Sequence, residues 1–319
     1  MPVTITAGIT FSGGGLTMEF APPSVATAGW FGGGVQNSPS PLSSVQRITF
    51  ATDTDTPSVR GPLSSVRYNL SGTGNLTYGW FGGGSSPSVS RVDRITYTTD
   101  TNTASVRGPL NNSIFGVCSA GTADAGWFGG GYMSSTVSFV SRITYATDTA
   151  TASDRGPLSR PGYAMTALTD GTTYGWYVSG YSSPTAQCTV DRITYATDTA
   201  TASVRGSLVQ KLSYGAGVYT DTYGWIGGGT DNTGYNLSYV QRITYATDTA
   251  TASIRGPIYT ANALAGVGNN TTGWFAGGLN GPAIITVQSI TYATDTAAGI
   301  GRANLYTYAA KQGATSGLQ

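Results

Sequence analysis

The chain has 319 residues, a net charge of +1, and charged side chains at only 10% of positions, against about 25% in ordinary soluble domains. That balance excludes the basic face that nucleic acid or an anionic membrane surface requires, and no apolar run approaches the roughly 20 residues of a membrane-spanning helix. There is no histidine, which removes the Ser-His-Asp triad, the commonest general base and the usual zinc or copper ligand.

Residues 1–25 stand apart from the rest of the chain. Thr4–Phe11 alternates like a strand, Gly13–Gly15 is a flexible break, and Pro22-Pro23 leads on stiffly. This segment reads either as an extra strand lying on the main body or as an attachment arm. Neither a basic start nor an apolar core marks Met1–Thr10, so no signal peptide is expected.

From residue 26 onward the sequence repeats. Trp30, Trp80, Trp127, Trp176, Trp225 and Trp274 are spaced by 50, 47, 49, 49 and 49 residues. Each sits in a version of G-W-F-G-G-G and precedes a version of R-I-T-Y-A-T-D-T-A-T-A-S-V-R-G-P-L. A period near fifty means one supersecondary unit copied and stacked so that each copy buries its apolar faces on its neighbours. In the copy beginning at Arg60, strands are predicted within Leu63–Gly72, over Thr77–Gly84, over Val92–Thr99 and near Thr103–Arg107. Val, Ile, Thr and Tyr runs separated by Gly, Pro, Asn and Ser carry that assignment. In the third strand Ile95 and Tyr97 face one way and Arg94 and Thr96 the other. The class is all-β.

The Gly-Gly strand followed by a variable loop and a strand ending at an acidic residue resembles the kelch repeat. The kelch Trp downstream of that acidic residue is missing here, and the repeat Trp precedes the glycines instead. The resemblance implies a six-bladed β-propeller of four-stranded blades. After Arg302 the chain reads A-N-L-Y-T-Y-A-A-K-Q-G, which aligns with G-P-I-Y-T-A-N-A-L-A-G after Arg255. Residues 303–319 are therefore expected to supply the inner strand of the first blade, so that both ends of the 26–319 propeller interlock in one sheet and the ring has no open edge.

Most charges belong to the repeat. Asp53, Asp100, Asp148, Asp198, Asp248 and Asp295 recur, with Arg60, Arg107, Arg155, Arg205, Arg255 and Arg302 seven residues later. They read as structural ion pairs within a blade or between neighbours, with spare guanidinium donors reaching carbonyls. Asp93 and Asp191, just before strand arginines, are expected to pair with those arginines. The remaining carboxylates are scattered over repeat positions, so no catalytic residue, metal site or cofactor is expected and an enzyme is not. The loops after the glycines vary most and carry the binding candidates Tyr132, Phe139, Tyr181, Tyr235 and Tyr239, since a tyrosine both stacks and hydrogen-bonds. Tyr68, Phe115 and Tyr163, eight residues after a repeat Arg, read as core or channel lining.

The near-identical copies also look like the kelch-like propeller proteins of tailed bacteriophages, particularly those of marine bacteria. That resemblance implies a non-enzymatic structural or accessory virion protein, made in the host cytoplasm, in a fibre, tail or capsid appendage. Residues 1–25 would join it to other virion proteins, and the disc would contact a host-surface protein or glycan, with self-association left open. A glycan-binding lectin propeller is the alternative.

Overall fold

The Trp strand of every repeat is paired along both edges, and this organises the whole molecule. The computed structural model describes residues 26–36 and 40–317, and the backbone of 7–12 and 15–20. In the second blade Ser71–Gly74 is the inner strand, followed by Tyr78–Gly82, Val92–Thr96 and the outer strand Ser105–Arg107. All neighbours are antiparallel. Six such four-stranded sheets form the propeller. The inner strand begins later than the predicted Leu63–Gly72, because Asn69 holds a left-handed φ of 54° that a strand residue does not adopt. The third strand stops at Thr96, and Tyr97–Thr99 turns into a single 3-10 turn ending at Asp100.

The ring closes through the far end of the chain. Gly313–Ser316 is the inner strand of the first blade and pairs with Ala28–Gly32 in the register Gly313↔Gly32 to Ser316↔Gly29. Residues N-terminal to that blade include an antiparallel hairpin, Ala7–Ser12 with Gly15–Phe20. The strand expected over Thr4–Phe11 is thus described from Ala7 onward, and Pro22-Pro23 lies outside the described residues.

Six wedges of core lie one between each pair of adjacent blades, and a seventh, smaller cluster of Val35, Ala263, Ala283 and Ala310 packs against Tyr68 and Tyr214. The wedge between the first two blades holds Trp30, Val45, Leu63, Leu70, Phe81 and Ile95, and the next holds Trp80, Val92, Leu110, Ile114, Phe128 and Ile143. Both faces of a blade are therefore buried, and the third strand shows it: Val92, Asp93 and Ile95 are all below 3% exposed. Tyr145 lies flat on Trp80 of the preceding blade, with ring centroids 3.7 Å apart. Equivalent stacks join Tyr97 to Trp30, Tyr195 to Trp127, Tyr245 to Trp176 and Tyr292 to Trp225. Phe50 takes the tyrosine's place on Trp274.

The glycine pair that follows the Trp strand in five of the six blades is needed for backbone conformation and for close approach to the neighbouring chain. Gly83 and Gly84 have φ of 68° and 115°, a region in which L side chains clash. Gly34 and Gly84 use this bend to donate their N–H groups to Arg67 and Ile114 carbonyls in the next blade's connection. In the fourth blade Ser179 takes the first position at φ 57°.

Candidate functional site

Three sets of residues were legible as special in the sequence, and the fold puts them in different places. The repeat aspartates lie at the blade interfaces. Trp80, Arg94 and Arg107 share one face of the second blade, because Trp80 is opposite Arg94 and Arg94 opposite Ser105, two residues before Arg107. All three reach Asp148 of the third blade. Its Oδ2 accepts the Trp80 indole N–H at 2.8 Å and lies 3.0 Å from Arg94 and 3.5 Å from Arg107. Asp100, Asp198, Asp248 and Asp295 repeat the arrangement on the preceding blade's Trp and two arginines. Thus Arg60, Arg107, Arg155, Arg205 and Arg255 meet the aspartate of the following repeat, not the one seven residues before them. Asp53 closes the set on Trp274 and Arg302, where Ser289 replaces the strand arginine.

Asp93 and Asp191 do not pair with the strand arginines beside them. Successive strand residues face opposite ways, so Arg94 points to the third blade while Asp93 points to the first. There Asp93 accepts the Ser64 N–H and hydroxyl at 2.9 and 2.7 Å and pairs with buried Arg67 at 3.0 Å. Asp191 accepts the same two groups from Ser159. Burial raises the Asp191 pKa, and the Ser159 hydrogen bonds oppose it. Burial likewise lowers the pKa of Arg67, with the Asp93 charge opposing. Arg67 and Arg160, which bonds the Ser179 carbonyl, are therefore not surface cations. Cys118 and Cys188 are both free thiols.

Only part of the third set, the aromatics of the loops and connections, gathers at one end of the central channel, around a ring of positions that the sequence did not single out. Just before each inner strand, Asn69, Gly116, Ala164, Tyr214, Ala263 and Lys311 occupy equivalent positions, all at φ between 53° and 66°. Each donates its N–H to the carbonyl of the preceding one, over 2.7–2.9 Å, and Asn69 donates to Lys311. The result is a closed ring of six backbone hydrogen bonds around the channel mouth. Below it the inner strands bring small residues together: a side chain at Gly72 would meet the Ala314 carbonyl at 2.5 Å, and one at Gly266 would collide with the Gly217 carbonyl. They enclose about 140 Å³, and Tyr219 stands at the far end of the inner strands, where burial raises its pKa to about 12.

Around this mouth the loops after the glycines meet the connections into the inner strands. Phe115 bridges to Tyr132 and Tyr163 to Tyr181 through backbone pairing. Tyr163 is the hub: its ring lies 5.7 Å from Tyr132, 5.6 Å from Tyr181 and 6.0 Å from Tyr214, each edge-on. The Lys311 ammonium sits 5.7 Å from the Tyr68 ring and 5.8 Å from that of Tyr214. Of the five candidates only Tyr132 and Tyr181 join this cluster. Tyr235 is 74% exposed and Phe139 47% exposed, each on its own loop, while Tyr239 packs into the wedge between the fourth and fifth blades. Tyr163, Tyr214 and Lys311 carry the site, and the usable signal was the change of residue type between copies at two adjacent repeat positions.

No family model matches the sequence, and no curated protein matches it. The fold is similar to the solved structure of YjhT, with a TM-score of 0.65 over 78% of this chain and 87% of that one, at 10% identity. At that identity the likeness shows the propeller fold alone.

Proposed function

We propose that the chain is a non-enzymatic, kelch-like recognition disc of a bacteriophage particle, an appendage that presents its channel-mouth face to a host-surface molecule. The observation that carries this reading is a division of labour. The repeated polar residues are consumed in holding blades together, while four of the residues that differ between copies, Tyr132, Tyr163, Tyr181 and Tyr214, meet at the channel mouth. A scaffold with constant frame and variable loops places specificity in those loops.

The frame carboxylates accept an indole N–H and face one or two guanidinium groups, which leaves them poorly placed for acid–base work. The sparse charge suits an exposed, long-lived particle component, and the resemblance to phage propellers supplies its setting. Residues 1–25 are read as the arm that joins other virion proteins, and the protein as one made in the host cytoplasm. Mass spectrometry of purified particles from the organism that carries this sequence tests the reading. Its absence from particles, with the protein found only in lysed cells, would overturn it.

The alternative is a lectin whose sites repeat between blades. It predicts several equivalent sites per chain, whereas the gathering of tyrosines on one side of one channel mouth favours a single asymmetric site.

A further inference from the structure

The channel mouth has six equivalent ring positions but only three side chains of any reach, Asn69, Tyr214 and Lys311. Gly116 and Ala164 stand between Asn69 and Tyr214, and Ala263 stands between Tyr214 and Lys311. A left-handed backbone favours glycine, as at Gly116, and a bulky residue there is uncommon. Tyr214 and Lys311 nonetheless hold φ of 58°. Large side chains at such positions point to a role above the ring rather than in building it.

The distribution of cations narrows the role. Eleven of the arginines enter the aspartate clamps. Arg67 and Arg160 are bound to carbonyls inside the blades, and Arg91 donates to Ser65. Lys311 is one of two lysines in the chain, and it makes no ion pair among the described residues. It is half-buried between the faces of Tyr68 and Tyr214. Such a cation lacks a counter-charge that a ligand can supply.

We propose that this mouth binds a saccharide bearing a carboxylate. The carboxylate meets the Lys311 ammonium beside Tyr68 and Tyr214, and the sugar ring lies against Tyr163. Tyrosine faces and hydroxyls suit a sugar, which needs both a flat apolar contact and hydrogen bonds. Tyr163 stands edge-on to Tyr214, and burial raises the Tyr214 pKa, so its hydroxyl stays protonated. A single ammonium matches a monoanion. A phosphate would call for a guanidinium fork or free backbone N–H groups, and the six ring N–H groups are already bonded to one another's carbonyls. The proposal deepens the host-surface reading and rests on it, since acidic sugars would be the host feature recognised.

Calorimetric titration of the whole chain with D-glucuronate and with D-glucose tests it. One glucuronate per chain is expected, with glucose at least ~10-fold weaker, the size of one charge-assisted hydrogen bond. Lys311→Gln should reduce glucuronate to the glucose level, and Lys311→Arg should restore most of the difference. Should Lys311→Gln disturb the ring, the unaltered chain gives the same readout: added salt weakens glucuronate but not glucose. Equal affinity for the two sugars, binding of neither, or six equivalents per chain would overturn the proposal. Loss of glucuronate binding in a chain that still adsorbs to host envelopes sinks the acidic-sugar site alone. Absence from particles with glucuronate binding intact sinks only the phage setting.

Discussion

Trp80 in the second blade donates its indole N–H to Asp148 in the third at 2.8 Å, while Tyr145, three residues before Asp148, stacks on the same indole. One turn of backbone thus delivers both an aromatic lid and a carboxylate to the neighbouring blade. Arg94 and Arg107 complete the contact. Because each blade grips the next in this way, the ring is a chain of clamps rather than a set of independent sheets.

Asp148→Ala should therefore destabilise the protein by about 3 kcal/mol, the low end for breaking a buried pair from one side, since both arginines keep a fifth of their surface in water. Asp53→Ala should cost less, because Asp53 faces one arginine and is itself more exposed. Urea unfolding of the two variants compares them directly, and equal losses would refute the clamp as the source.

Removing residues 303–319 deletes the inner strand Gly313–Ser316 and the ring residue Lys311 together. The edge of Ala28–Gly32 would lose its partner, and two of the six ring hydrogen bonds would vanish. Loss of the whole cooperative melt is expected, followed by circular dichroism. A truncated chain that melted as the full one does would show that closure is dispensable.

Gly108 sits in the R-G-P-L turn, and its N–H donates to the Asp148 carbonyl at 2.8 Å. A Cβ there would collide with the Ala150 carbonyl of the next blade. Gly108→Ala should cost about 1–3 kcal/mol by overpacking, read as a lowered urea midpoint. At the sixth blade the chain already carries Ala303 in this place, and its bond to Asp53 is longer, at 3.2 Å. Ala303→Gly should accordingly be neutral or stabilising.

Alkaline pH should unfold the ring steeply. Burial raises the pKa of Tyr97, Tyr145, Tyr195 and Tyr245 above their ordinary 10.0. The unfolded chain ionises these phenols first, so the folded state binds more protons above pH 10.0. Their contribution to stability is complete below that value and is lost as pH rises through the higher folded values. Melting temperatures and phenolate absorbance followed together should fall and rise in one step. Phenolate appearing at its ordinary pH with no loss of fold would contradict the buried stacks.

The repeat period, the strand class, the six blades and the closure by residues 303–319 were all legible in the sequence, because burial on both faces of a blade imposes one residue pattern on every copy. The strand bounds were less so: Leu63–Leu70 alternates well enough for a strand, yet Asn69 must turn left-handed to join the ring. Tyr132 and Tyr181 were visible as loop aromatics. Their meeting at Tyr163 was not, since it depends on two connections folding over one end of the channel.

What the amino acids determined alone was local and periodic: which residues form strands, which turn, and which polar types recur once per copy. Tertiary structure decided the partners. Arg107 is seven residues from Asp100 in the chain but binds Asp148, because strand alternation and the stacking of blades aim it at the next sheet. Lys311 is distant from Tyr68 in sequence and near it in space, because a circular array brings the last repeat beside the second. Contacts set by ring closure have no signature in residue spacing, so only the folded chain could reveal them.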